Sequence, residues 1–215
     1  MTPSTYQRLS ARSASRAGGR AGDRPFIHPL ALCDSKSVGS DTRIWAFAHV
    51  MEGAVLGADC NVGGHCFIES GAVIGDRVTI KNGTLVWNGV TIEDDAFIGP
   101  GVVFTNDKHP RSPRSEVAGE RYAAESWISP TRVQRGATIG ASAVIVCGIG
   151  IGAYSMIGAG AVVTRNVPAQ RLVMGNPARI AGWVCRCGAR LHDASACSKC
   201  DRKYRLVGEV LVLSE

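Results

Sequence analysis

The chain of 215 residues ends in four thiols grouped as two tight pairs, Cys185-x-Cys187 and Cys197-x-x-Cys200, each followed by a turn residue, Gly188 or Asp201. Four thiolates at this spacing suit a tetrahedral zinc ion with no position left open for chemistry, a structural site and not a catalytic one. The strand-like run Tyr204-Arg205-Leu206-Val207 completes the outline of a zinc-ribbon-like module over residues 185–215. So short a segment lacks a core of its own, and metal would hold it folded. Two disulfides or a redox pair are the other uses of such thiols, and an intracellular setting disfavours the disulfides.

A second group of reactive side chains lies mid-chain: Glu69, then Trp87 with Asn88, then Thr105 with Asn106 and Asp107. Their spacing has meaning only through the element that carries them. An aliphatic or aromatic residue falls on every sixth position: Val38, Ile44, Val50, Leu56, Val62, Ile68, Ile74, Ile80, Val86, Ile92, Ile98 and Phe104, then Val133, Ile139, Ile145, Ile151, Ile157 and Val163. Two residues ahead of each sits a small or β-branched one, such as Thr42, Ala48, Cys60, Cys66 or Val78. Period six is neither a helix face nor a simple alternating strand. It fits an all-β parallel β-helix with three flat sides, the aliphatic residue filling a corner and the smaller one the middle of a side. A sandwich would not keep a strict sixfold count through its turns. Three hexads make one coil, so residues eighteen apart stack at about 4.8 Å. Glu69, Trp87 and Thr105 therefore lie one above another on one edge.

The count breaks after Phe104. Residues 105–130 hold several prolines and charges and read as an excursion from the rod, a common place for a binding site because the scaffold fixes its base. The helix is expected over residues 27–168, followed by a capping segment over 169–184. The formal charge of +6 owes much to Arg8, Arg12, Arg16, Arg20 and Arg24. That stretch, over residues 1–26, reads as a disordered basic tail, so the charge implies neither nucleic acid nor a membrane as partner. Cys60 and Cys66 occupy the inward small slot as compact apolar residues. No run is apolar and long enough to span a bilayer and no secretory leader opens the chain, so the cytoplasm is the expected compartment.

Hexads beginning aliphatic-Gly, a mid-chain loop and the closing Gly175-Asn176-Pro177-Ala178-Arg179 resemble the hexapeptide-repeat acyltransferases. The resemblance covers residues 27 to about 184. It implies a left-handed parallel β-helix, a homotrimer, and acyl transfer from coenzyme A or acyl carrier protein. Arg43-Ile44-Trp45-Ala46-Phe47, Ile92-Glu93-Asp94-Asp95 and Val103-Phe104-Thr105-Asn106, with Pro110-Arg111-Ser112, look like the bacterial nucleotide-sugar N-acetyltransferases. That narrower likeness implies an acetyl-CoA-dependent transfer to the 3-amino group of a UDP- or dTDP-linked amino sugar, for surface polysaccharides or glycosylated metabolites.

A thioester is already activated, so the protein must mainly hold a neutral amine in line and stabilise the oxyanion. In the resembled subgroup the asparagine of the Thr-Asn pair lies by the reacting amine, which here is Asn106. Glu69 would orient or accept a proton, and His65 or His109 would serve if a histidine base is used. On the sugar side Lys81, Arg111 and Arg114 would meet phosphate, with Trp87, Asn88, Asp107 and His109 beside them. On the donor side the resemblance implies backbone amides near Gly140, Gly158 and Ala159 for pantetheine and Arg165 and Arg179 for the phosphates, in a groove between subunits. O-acetylation of a sugar or antibiotic is the alternative on the same fold. A γ-type carbonic anhydrase needs a spacing that His28, His49, His65, His109 and His192 lack, and a non-catalytic scaffold would leave the Asn106 loop without purpose.

Overall fold

The computed structural model describes residues 24–123, 125–193, 195–208 and 210–214. Most of the expected basic tail lies outside these residues, and Phe26 already pairs with Arg43 in the first coil. The chain is a β-solenoid of about eight turns. Its strands are mostly two residues long, from Phe26–Ile27 to Val162–Val163. They line up into three parallel faces, here called faces 1, 2 and 3, whose sheets count ten, seven and six strands once the three strands after Val163 that extend face 1 are included. Chain order runs from face 1 to 2 to 3 and back, which defines edges 1–2, 2–3 and 3–1.

The hexad explains both halves of this geometry. The aliphatic series from Ile44 to Val163 is buried, with Phe104 the bulkiest of its members, and the small slots (Ala48, Ala54, Cys60, Cys66, Ala72, Val78) fill the space between them. Burial holds the Cys60 and Cys66 thiols above their ordinary pKa, and they donate to the carbonyls of Gly75 and Lys81 at 3.0 and 3.1 Å. Each hexad turns through one residue of positive φ, three after the aliphatic one. Glycine serves at Gly53, Gly71, Gly83, Gly89, Gly101, Gly136, Gly148 and Gly160, while Asp41, Phe47, Asp59, His65, Arg77, Asp95, Ser142 and Tyr154 hold φ of 55–64°.

The excursion leaves the register intact. Val103 pairs with Val144 and Thr91 with Arg132, as though the loop were absent. Its neck is closed by Ser129 N–H donating to the Asn106 carbonyl (2.8 Å) and Thr131 N–H donating to that of Gly89 (3.0 Å). Face 2 presents an outer stripe of Leu32, His49, Phe67, Leu85, Val103, Val144 and Val162, apolar but for His49, of which Leu32 is 55 % and Val103 39 % exposed. Edge 3–1, by contrast, carries ion pairs from Arg77 and Arg135 to Asp95 and from Arg132 to Glu93.

Beyond the last coil, Arg171–Met174 adds to face 1 in parallel and Arg179–Val184 returns antiparallel to it. The buried Gln170 side chain donates to the Val184 carbonyl at 3.2 Å, and the Arg171 guanidinium lies 3.4 Å over the Trp183 ring. The C-terminal module has its own small core of Cys185, Leu191, Cys197, Tyr204 and Leu211. No helix among the described residues is long and apolar enough to cross a membrane.

Candidate active site

Edge 2–3 carries a polar ladder. The Glu69 carboxylate accepts the Asn88 N–H at 2.7 Å, and the Asn106 Nδ2 donates to the Asn88 carbonyl at 3.3 Å. Three successive coils are thereby joined through side chains as well as through the sheet. With Nδ2 used downwards, the Asn106 Oδ1 remains an acceptor at the base of the loop. The Thr105 hydroxyl accepts the Cys147 N–H at 2.9 Å, tying the same turn to the coil above. Trp87 packs against the solenoid core and tilts over Phe67 with ring centroids 5.5 Å apart.

The loop behind Asn106 is locked by Asp107. Its carboxylate, whose side chain is only 9 % exposed, pairs with the Arg121 guanidinium and accepts the Tyr122 hydroxyl at 2.6 Å and the His109 N–H at 2.8 Å. Arg121 in first place, then Tyr122 and the His109 amide, hold the Asp107 carboxyl down at about 2. Tyr122 packs at a tilt against Trp127 with ring centroids 5.2 Å apart, so this loop is packed by its own side chains. Asp107 is thus engaged within the loop, a use that its sequence position did not signal. His109, Arg111 and Arg114 are exposed on the loop's outer part. Arg111 donates its N–H to the Tyr122 hydroxyl and its guanidinium to the Pro110 carbonyl, and Arg114 donates its N–H to the Ser112 hydroxyl.

Higher on edge 2–3, Lys108 lies over Gly148, where a Cβ would stand 2.7 Å from its Nζ. One coil further, Arg165 and Arg179 share a cleft of about 370 Å³ with Thr164, Asn166, Pro168 and Ile180. The remaining candidates lie on edge 1–2, across face 2. His65 is exposed and stacks on Phe47, Lys81 stands on the next coil, and Gly140, Gly158 and Ala159 occupy the turns above. A Cβ on Gly140 would come within 2.5 Å of the Ala159 N, so successive turns touch backbone to backbone there. The expected site residues therefore fall into two groups, on the two borders of the apolar face.

The four C-terminal sulfurs lie within 4.8 Å of one another, with Cys185–Cys200 at 3.4 Å and Cys187–Cys197 at 3.6 Å. These are too far for S–S bonds of about 2.05 Å and suited to four sulfurs each about 2.3 Å from one ion. All four are free cysteines. The Arg202 amide, then the neighbouring Cys185 and Cys187 thiols and last the Arg202 guanidinium, draw the Cys200 thiol down to about 6. This donor set can hold a metal ion. Arg202 also reaches Cys200 through its side chain at 3.2 Å.

The repeats of this solenoid match models of bacterial transferases. The chain belongs to the hexapeptide-repeat acetyltransferase family: residues 35–70 and 71–106 match "Bacterial transferase hexapeptide (six repeats)", and residues 53–88 and 130–165 match "Hexapeptide repeat of succinyl-transferase". It is 48 % identical over 182 residues to dTDP-3-amino-3,6-dideoxy-alpha-D-galactopyranose 3-N-acetyltransferase from Aneurinibacillus thermoaerophilus, covering 84 % of this chain and 90 % of the relative. Bifunctional protein GlmU from Cellvibrio japonicus is 29 % identical over 69 % of this chain, which spans 33 % of that protein. A GDP-perosamine N-acetyltransferase variant from Caulobacter crescentus, solved with CoA and GDP-perosamine, aligns at TM-score 0.47 and 24 % identity over 82 % of this chain and 63 % of its own.

Sequence reasoning missed Arg121, Tyr122 and Lys108, and gave Phe47 no role. Arg121 and Tyr122 stand in an irregular loop, where no period shows what they face. Phe47 carried a signal that the hexad could have revealed: a large aromatic residue where the coil requires positive φ.

Proposed function

We propose that the protein is an acetyl-CoA-dependent N-acetyltransferase acting on the amino group of a nucleotide-linked amino sugar, for polysaccharide or glycosylated-metabolite biosynthesis, and that it works as a cytoplasmic homotrimer. The observation that carries the reading is the Asn106 Oδ1, which no donor among the described residues meets and which is fixed by Asn88 below and by the Asp107 lock behind. The named activity of the Aneurinibacillus relative supports the same chemistry. In this reading Asn106 Oδ1 accepts a hydrogen bond from the neutral amine and aims its lone pair at the thioester carbonyl carbon. The C–N bond forms, the C–S bond breaks, and the proton released by nitrogen ends on the departing coenzyme A sulfur. Glu69 holds the Asn88 turn and so positions Asn106.

The placement of the site residues in two groups, on separate borders of face 2, supports a site completed by a second chain. The apolar stripe of face 2 suits packing against other copies, which brings edge 1–2 of one chain to edge 2–3 of its neighbour. Lys81 and His65 then face that edge one and two coils below the Asn106 turn. Gly140, Gly158 and Ala159 face the Arg165 and Arg179 cleft, whose cations suit the phosphates of coenzyme A. Asn106 lies between an acceptor end and a donor end. The four cysteines would hold zinc, which supplies folding energy to the module and no step of the reaction.

The test is thiol release from acetyl-CoA with a panel of UDP- and dTDP-linked amino sugars. Turnover is expected with a 3-amino sugar, and Asn106→Ala is expected to lose at least about 100-fold in kcat. Undiminished turnover in that variant removes Asn106 from the mechanism.

A further inference from the structure

Phe47 and His65 stack on edge 1–2 with ring centroids 4.9 Å apart and planes 23° from parallel. Phe47 is 57 % exposed. Both residues adopt positive φ, 64° and 59°, at a turn position that glycine fills at eight other turns. A bulky aromatic residue is rarely held there, and such a conformation tends to mark a functional surface. The same position one coil above His65 is Gly83, where a side chain would meet no atom within 4 Å, and one coil higher it is Gly101, where it would meet only the Ser142 Oγ at 3.6 Å. Phe47 therefore covers one face of the imidazole, while the other face looks onto an open step two coils tall, roughly 10 Å at the inter-strand spacing.

Polar groups flank this step. Lys81 and Asn82 belong to the turn of Gly83, and the Asn82 carboxamide lies against Gly63, its Oδ1 being 2.6 Å from where a Cβ would stand. Gly64 lets this arrangement form, because a Cβ on it would lie 2.8 Å from the Ala46 carbonyl of the Phe47 turn. A flat aromatic platform, a gap that admits another ring, and a carboxamide with one donor and one acceptor side together suit a planar heterocycle carrying adjacent N–H and C=O groups.

We propose that the Phe47–His65 stack, at the Gly83 step, seats the heterocyclic base of the nucleotide-linked substrate. Lys81 then meets the diphosphate and Asn82 the edge of the base. This deepens the acetyltransferase reading above and rests on it for the identity of the ligand. It also gives His65 a stacking role in place of the proton-accepting role that a histidine on such a chain first suggests. The base seat lies one coil below the level of Asn106, on the acceptor side and away from the Arg165–Arg179 cleft.

The experiment compares wild type, His65→Ala, His65→Phe and Gly83→Asn, the last chosen because asparagine tolerates positive φ and fills the step. KM and kcat are measured with the nucleotide-linked amino sugar and with the corresponding amino sugar 1-phosphate, which lacks a base. Binding of dTDP and UDP is followed by calorimetric titration. His65→Ala is expected to raise KM for the nucleotide sugar by about 10- to 100-fold, with kcat largely retained. The same variant should leave KM for the 1-phosphate unmoved. His65→Phe should restore binding, and Gly83→Asn should weaken it.

Unchanged KM and nucleotide affinity in His65→Ala would overturn the proposal. So would a loss of kcat in His65→Phe with KM intact, which would make His65 a base. If wild type binds dTDP or UDP through this step yet acetylates no amino sugar, the acetyltransferase reading falls and the base seat stands. If it acetylates but ignores His65, the reverse holds, and if it does neither, both fall.

Discussion

Truncation of Glu69 to alanine removes the acceptor of the Asn88 N–H, a part-buried bond of 2.7 Å. A buried donor left without a partner costs about 1–3 kcal/mol, which for a chain of this length lowers Tm by roughly 2–12 °C. The Asn88 carbonyl is the anchor of Asn106 Nδ2, so the disturbance reaches the reacting group. Displacement of a positioning group by about 1 Å costs on the order of 100-fold in rate. Glu69→Gln keeps an acceptor at the same place and is expected to hold both Tm and kcat near wild type. Thermal unfolding paired with initial rates of thiol release separates the two effects. A Glu69→Gln variant with wild-type Tm and a 100-fold lower kcat would refute the positional role and assign the carboxylate to proton chemistry. An unaltered Tm in Glu69→Ala would mean that the Asn88 bond contributes nothing.

The loop lock should respond to acid. Asp107 is held at about 2, below the ordinary 3.8, so its contribution is complete above about pH 4 and is lost as pH falls towards 2. Fluorescence of Trp127, packed at a tilt against Tyr122, should follow that window in wild type and lose it in Asp107→Asn; identical profiles would dismiss the lock. Gly140→Ala places a Cβ 2.5 Å from the Ala159 N and 2.8 Å from the Ile157 carbonyl oxygen. Backbone cannot swing aside, and a loss of about 1–3 kcal/mol is expected in urea unfolding; an unmoved midpoint contradicts the tight stacking. Elemental analysis should find zinc in the purified wild type and little in Cys197→Ser. Chelation should melt the module, whose core is separate from that of the solenoid, and leave the far-ultraviolet signal of the coils. Full zinc content in the serine variant defeats the assignment.

The solenoid was legible because its rule is translational. Once Ile44 and Ile80 are seen as equivalent, eighteen-residue stacking follows, and the alignment of Glu69, Asn88 and Asn106 can be drawn before any coordinates exist. The pairing of Val103 with Val144 across the excursion agrees with that rule. What a period cannot convey is which edge faces which. His65 and Asn106 looked like members of one site, yet they stand on opposite borders of face 2, a relation that depends on three-dimensional winding. Asp107 and Arg121 lie fourteen apart in irregular chain, with no repeat to align them. The cysteine cluster lay between these extremes: its donor set was plain from spacing, whereas the contacts of Arg202 and Tyr204 with the thiols needed the fold.

A stack of identical storeys has no built-in height, and its terminal strands are a template on which a further chain can polymerise. The antiparallel return of Arg179–Val184 along Arg171–Met174 acts as a lid with the wrong polarity for another parallel storey. Gln170, pinned to Val184 from beneath, fastens that lid. The protein thus ends its own growth at one pole by reversing direction, which keeps a filament-forming architecture at finite size.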